Sequence, residues 1–322
     1  MSLLQYTPTV TKTLVSRSGG ERPIVSASCV AVTPECPVEA TLYGYYPSIG
    51  ANGFFAGFFA VCMIIHLIQG IRYKTWTYMI ALGLGCLGEA IGYAGRIMLW
   101  NNPYDDLGFQ IQICCLIISP AFISGGIYLT LKHIVINFGE KWSRLRPAWY
   151  TYIFITGDIF SLVLQGAGGG IAATADRGTS MQDVGTNLMI AGVIFQVVIL
   201  SIFGYFLGEY TLRTYRRRDQ LSVQSMTLFN SKKFRCFVGA IITAYSAIQI
   251  RCIYRIPELT GGWGNELMRN EPEFIVLEGV MIVIAVLALT VFHPGYCFPA
   301  LGATFTNDVE MMPRAYDPHP VQ

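Results

Sequence analysis

Charge is what this sequence most lacks. Only 13% of its 322 residues are Asp, Glu, Lys or Arg, about half the ~25% of an ordinary soluble chain. The net charge is +2, so there is no electrostatic case for nucleic acid as a partner. The four histidines, His66, His133, His293 and His319, are widely separated. The nine cysteines form no CxxC or Cys/His cluster, and no metal site is expected. No GxSxG elbow surrounds Ser161, and no lysine follows the glycines at 168–170 as a phosphate-binding loop would require. The last lysine, Lys233, precedes the last two apolar runs, which excludes a retinal Schiff base in the final helix. The expectation is a protein that is not an enzyme and carries no cofactor. Low-complexity tracts are missing, and residues 1–48 hold no signal-peptide core.

What the chain does have is long apolar runs. Mean hydropathy is +0.47 and 53% of residues are hydrophobic. A spanning helix needs about 20 mostly apolar residues, and seven segments qualify: 50–71, 77–99, 110–136, 149–173, 186–208, 234–253 and 273–292. The expected fold is therefore an all-α polytopic membrane protein. Its parts are an N-terminal segment 1–48, a seven-helix domain 49–295 and a tail 296–322.

Charge bias gives the orientation. The loops after spans one, three and five carry Arg72 and Lys74, then Lys141, Arg144 and Arg146, then Arg213, Arg216, Arg217, Arg218, Lys232 and Lys233. The loop after span two has Asp105 and Asp106 instead, and the loop after span four has only Arg177. The positive-inside rule then places the N-terminus outside and the C-terminus in the cytoplasm. Cys29 and Cys36 share the N-terminal segment and are candidates for a local disulfide if it faces an oxidising side. Cys62, Cys86, Cys114, Cys115 and Cys236 lie in apolar runs and read as core filler. The pairs Gly53/Gly57, Gly88/Gly92 and Gly204/Gly208 have the spacing that lets membrane helices approach closely.

The informative residues are the few charges inside the spans, each costing about 2.5–3.5 kcal/mol to insert. Glu89, Tyr93 and Arg96 fall on one face of span two; Asp158, Ser161 and Gln165 fall on one face of span four. Arg251, Arg255 and Glu258 repeat that spacing at the end of span six, and Glu278 lies in span seven. Faces of this kind turn away from lipid. The expected result is a polar interior open to the outside, with the stripes of spans two and four aimed at each other. Two roles stay open for these ten residues: contact with a substrate, or mutual pairing as structural glue. Gly168, Gly169 and Gly170 end span four as either a close-packing contact or a hinge. His66 reads as structural or interfacial.

The ordered set Glu89, Gly92-Tyr93, Arg96, Pro120, Asp158-x-x-Ser161-x-x-x-Gln165 and Gly168-Gly169-Gly170 resembles the fungal RTA-like proteins, also called the lipid-translocating exporter family. Further along, Gly192, Gln196, Arg251 to Arg255, Glu258, Gly261-Gly262-Trp263, Glu271, Glu278-Gly279 and His293-Pro294-Gly295 agree. The likeness runs from about residue 43 to 298. It departs at Glu271 to Ile275, where the family has a more aromatic run with a tyrosine. The resemblance implies a seven-helix plasma-membrane protein that moves lipids or lipid-like amphiphiles, such as sphingoid bases and toxic sterols, and so contributes to efflux and stress resistance. Membrane lipids and an amphiphilic small molecule are the implied partners. For a cationic head, Glu89, Asp158 and Glu278 are the candidate contacts, with the arginines orienting hydroxyl or phosphate groups. The competing reading is a seven-helix receptor or sensor of a lipid-like ligand; a structural or regulatory membrane subunit is a third.

Overall fold

The computed structural model describes residues 29–138, 143–175, 179–217, 223–262 and 264–297. Lys141, Arg177, Arg218, Trp263, most of the tail and the first 28 residues lie outside the described set. Among the described residues, seven helices are long and apolar enough to cross a membrane. They are α1 (Ile49–Tyr73), α2 (Trp76–Asn101), α3 (Asp106–Phe138), α4 (Pro147–Thr174), α5 (Ser180–Arg216), α7 (Lys232–Thr260) and α9 (Glu271–Cys297). Two short helices, α6 (Val223–Asn230) and α8 (Glu266–Arg269), flank α7. Every apolar run read from the sequence lies inside one of the seven. Observed helices overrun the runs mainly at polar ends, most of all α5, whose 37 residues reach ~55 Å.

Short connections make successive helices antiparallel neighbours. The turn from α1 to α2 uses only Lys74, at φ 55°, and Thr75. Each spanning helix packs on the next, α9 returns to α1, and α3 touches α7 across the ring. α3 is accordingly the most buried span and α1 the least. We call the end of the bundle that carries residues 29–48 the upper end. The aromatic core runs through the centre, with Phe55, Phe59 and Tyr93 stacked on one side and Tyr128, Phe154 and Phe203 on the other.

Glycine sets two of the closest approaches. A Cβ on Gly168 of α4 would lie 2.5 Å from Met189 N and 2.6 Å from Gly185 O on α5. One on Gly185 would lie 2.5 Å from Ala172 N. Gly168 is thus a close-packing contact, and α4 continues helically through all three glycines to Thr174. Gly170 faces open space. Of the three spaced pairs, only Gly88/Gly92 packs as a pair, against Ser119 and Leu116 of α3; Gly57 faces outward.

Two cysteine expectations separate here. Cys29 and Cys36 are joined in a disulfide. Cys62 and Cys86 are buried, but Cys114 and Cys236 are exposed on the bundle surface, so those two are not core filler. An apolar run in a membrane helix marks lipid-facing and buried positions alike, because lipid tails are as apolar as the core.

Candidate functional site

The polar stripes do turn inward. Glu89, Tyr93 and Arg96 are fully buried, and so, within a few per cent, are Asp158, Ser161, Gln165, Arg251, Arg255, Glu258 and Glu278. They do not form one set. Helix α3 stands between α2 and α4, so the two stripes expected to face each other meet α3, α5 and α7 instead. Tyr93 packs on Phe55 and Phe59, and the other nine residues divide into four groups.

The first is an ion network joining α2, α7 and α9. Arg251 Nη1 donates to Glu89 Oε1 at 2.5 Å, and its Nη2 donates to Glu278 Oε1 at 2.6 Å. Arg255 Nη2 shares Glu278 Oε1 at 2.5 Å, while its Nη1 donates to Glu258 Oε2 at 3.0 Å. Three carboxyl groups therefore share two guanidinium groups, and Glu89 Oε2 and Glu278 Oε2 are buried without a hydrogen-bond partner. Two backbone irregularities make the geometry. Pro120 inside α3 has no N–H to offer the carbonyl of Leu116, four residues back. Arg251 Nη2 takes that carbonyl at 2.6 Å. In α9, residues Phe274–Val280 are π-helical, with the N–H of Met281 bonded to Val276 O. The extra residue in that turn sets the azimuth of Glu278 and of Gly279, against which the Phe55 ring packs. π-helical turns of this kind recur at functional sites.

Arg96 sits above this network in an aromatic box. Its guanidinium carbon lies 3.7 Å from the Phe274 ring centre and 5.1 Å from that of Tyr43. Nη2 donates to Tyr45 Oη at 2.7 Å and is 3.9 Å from Glu271 Oε1, whereas Nε and Nη1 have no partner. Burial pushes the Tyr43 phenol up to about 12, against the opposing pull of Arg96, so it stays protonated at neutral pH. Its oxygen accepts from Gln112 Nε2 at 2.8 Å. Residues 29–48 thus lie over the upper mouth. Tyr104 Oη donates to Pro37 O at 2.8 Å, and Ser48 N–H donates to Glu271 Oε1 at 2.6 Å. Among the described residues the stripes do not open outward as expected: their side chains are buried and residues 43–48 cap the mouth. Outside the cap is a surface hollow of ≈500 Å³ with Tyr45, Arg269 and Glu271 among its lining residues. Tyr45→Phe removes the one hydrogen bond that Arg96 makes among the described residues and should cost about 1–3 kcal/mol, read as a lower melting temperature in detergent.

The other two groups belong to α4. Asp158 Oδ2 lies 2.8 Å from Ser124 Oγ and 3.0 Å from Tyr128 Oη, both on α3. Gln165 Nε2 donates to Ser161 Oγ and to Gln196 Oε1 of α5, each at 3.1 Å. His66, read as structural or interfacial, is buried, with Nε2 2.9 Å from Thr290 Oγ1. Among the described residues no cluster of His, Cys, Asp and Glu suits a metal ion.

A family model described as RTA1 like protein matches residues 82–300. The chain is also 30% identical over 306 residues to a Saccharomyces cerevisiae sphingoid long-chain base transporter RSB1, covering 86% of this chain and 79% of that protein. The chain belongs to the RTA1-like family. Other yeast members share less. Protein RTM1 is 27% identical over 74% of each chain. Protoporphyrin uptake protein 1 is 27% identical over 64% of this chain and 65% of its own length. No solved structure matches. All ten candidate residues, and Pro120, fall inside the family-matched region.

Several residues of the site carried no signal in the sequence. Tyr43, Tyr45 and Phe274 look like ordinary aromatics until Arg96 is placed among them. Ser124 and Tyr128 are ordinary helix residues until they meet Asp158. Their roles depend on contacts 30 or more positions away in the chain. Glu271 and Phe274, from the start of α9, both lie against Arg96.

Proposed function

We propose that this chain moves lipids or lipid-like amphiphiles across the membrane, long-chain sphingoid bases among them, and thereby contributes to efflux and stress resistance at the plasma membrane. The observation that carries the reading is the ion network on α2, α7 and α9. A buried charge cluster is expensive to hold in a membrane and marks a substrate or ion path more often than a fastening. Here two acceptor oxygens, Glu89 Oε2 and Glu278 Oε2, are spare, and one oxygen serves both arginines. Partner exchange is open to such a cluster without any group leaving the interior. That is the property a two-state transport element needs. The names of the yeast relatives support the substrate class.

The basic residues Arg72, Lys74, Arg144, Arg146, Arg213, Arg216, Lys232 and Lys233 all belong to the lower end. By the positive-inside rule that end is cytoplasmic and the disulfide-bonded cap is external. Purified protein in liposomes should carry a labelled sphingoid base. Glu89→Gln, which keeps an acceptor for Arg251, should lower the flux at least tenfold with unchanged gel-filtration behaviour. Wild-type flux no greater than in protein-free liposomes would defeat the reading. Binding without flux would turn it toward a receptor.

A further inference from the structure

Asp158 is separate from the ion network, and its surroundings are of a different kind. It lies in the lower half of α4, and a cleft of ≈240 Å³ between α2, α3 and α4 reaches it. Ile80, Ala121, Phe122, Gly125 and Ile159 are among the lining residues, which are apolar almost throughout. Ile80, Phe122 and Ile159 are exposed on the bundle's lateral surface, so the cleft opens sideways there, and exposed Thr77 at the start of α2 carries its lining toward the lower end. Asp158 itself is 4% exposed. Its Oδ2 is held by the α3 hydroxyls, while Oδ1 is buried with no hydrogen-bond partner. The arrangement is a fixed carboxylate with one oxygen spare, at the wall of an apolar slot that faces acyl chains.

Why the slot exists is visible in the Gly125-Gly126 pair. A Cβ on Gly126 would run into the Leu82 side chain, so that glycine serves packing. A Cβ on Gly125 meets nothing within 4 Å; its missing side chain is part of the empty volume. An unpaired carboxylate oxygen in such a place selects a cationic hydrogen-bond donor, and the apolar walls select a chain. The volume is below the ~300–1,000 Å³ of an enclosing small-molecule pocket. It fits a head and the first part of a tail whose remainder stays in the bilayer.

We propose that this lateral cleft is an entry site for long-chain amines, which bind by their ammonium group to Asp158 Oδ1 with the chain leaving between α2 and α4. The site rests on the transport reading, and with the lower end cytoplasmic it takes its ligand from the inner leaflet. N-acylated or neutral lipids of the same length lack the charge and are not held.

The full-length chain in nanodiscs, exposed to a sphinganine carrying a photoreactive group and a click handle, should be labelled on the α3 and α4 segments that line the cleft. Asp158→Asn should lower that labelling at least tenfold. Gly125→Leu, which fills the slot and leaves the carboxylate in place, should do the same. Because residue 125 has free space for a side chain, this variant tests the site even where the aspartate variant fails to fold. Octadecylamine should compete, and N-acetylsphinganine should not. Equal labelling of wild type and Gly125→Leu, or competition by N-acetylsphinganine as strong as by sphinganine, overturns the proposal. Flux that persists in Gly125→Leu removes the entry site but leaves the transport reading intact. Specific labelling with no wild-type flux does the reverse.

Discussion

Arg251→Ala should abolish folding of this protein or lower its stability by about 3–5 kcal/mol, the cost of stripping one partner from a buried ion pair. The side chain is 1% exposed and bridges α2, α3 and α9 at once, through Glu89, Leu116 O and Glu278. Its loss takes from Glu89 its hydrogen-bonded ion-pair partner and frees the carbonyl that Pro120 had already orphaned. Arg251→Lys should rescue little, because one ammonium cannot present two N–H groups in a fork to two carboxylates and a carbonyl. Adding Glu89→Gln to Arg251→Ala should recover part of the loss, since the stranded charge is then gone. Fluorescence-detected gel filtration after a heating series reads all three variants. An Arg251→Ala protein that melts with the wild type would show that the network carries no structural load.

Gly168→Val is the second large effect expected, and it comes from sterics alone. The two atoms its Cβ would strike, Met189 N at 2.5 Å and Gly185 O at 2.6 Å, are backbone and cannot swing aside. Helices α4 and α5 would have to separate along their crossing. Gly185 and Gly192 would lose their contacts with Ala172, Gly168 and Ser161 as well. Side-chain overpacking costs about 1–3 kcal/mol; a backbone clash at a membrane crossing should exceed ~3 kcal/mol. Gly170→Ala is the control. It lies two residues further along the same helix with open space before it, and should be neutral or slightly stabilising. A thermal series on both variants distinguishes a packing glycine from a hinge glycine. If Gly170→Ala rather than Gly168→Val proved harmful, the glycine run would be acting through flexibility.

These two predictions mark the boundary of what could be read in advance. The seven helices follow from the length of the apolar runs, and the inward faces of α2, α4 and α7 follow from the spacing of their charges. Both are local properties, fixed by helix periodicity and by the cost of charge in hydrocarbon. Family membership was legible for the same reason, since its motifs are ordered along the chain. The Cys29–Cys36 pairing needed only two cysteines in one polar segment.

Which face meets which is a different matter. Periodicity gives each helix an inner side but not its neighbour, so the stripes that carry Glu89 and Asp158 were expected to face each other although α3 lies between them. The π-helical turn that aims Glu278 has no signature in the residues Phe274 to Val280. The cap over Arg96 joins residues 43 and 45 to 96, 271 and 274, contacts that no local pattern encodes. The sequence alone determined that this protein spans a membrane seven times and keeps a set of charges out of lipid. Only the tertiary structure decided that those charges divide into an ion network, an arginine under an aromatic cap and a separate carboxylate beside an apolar cleft. The reason is physical: inward direction is a property of one helix, whereas pairing is a property of three.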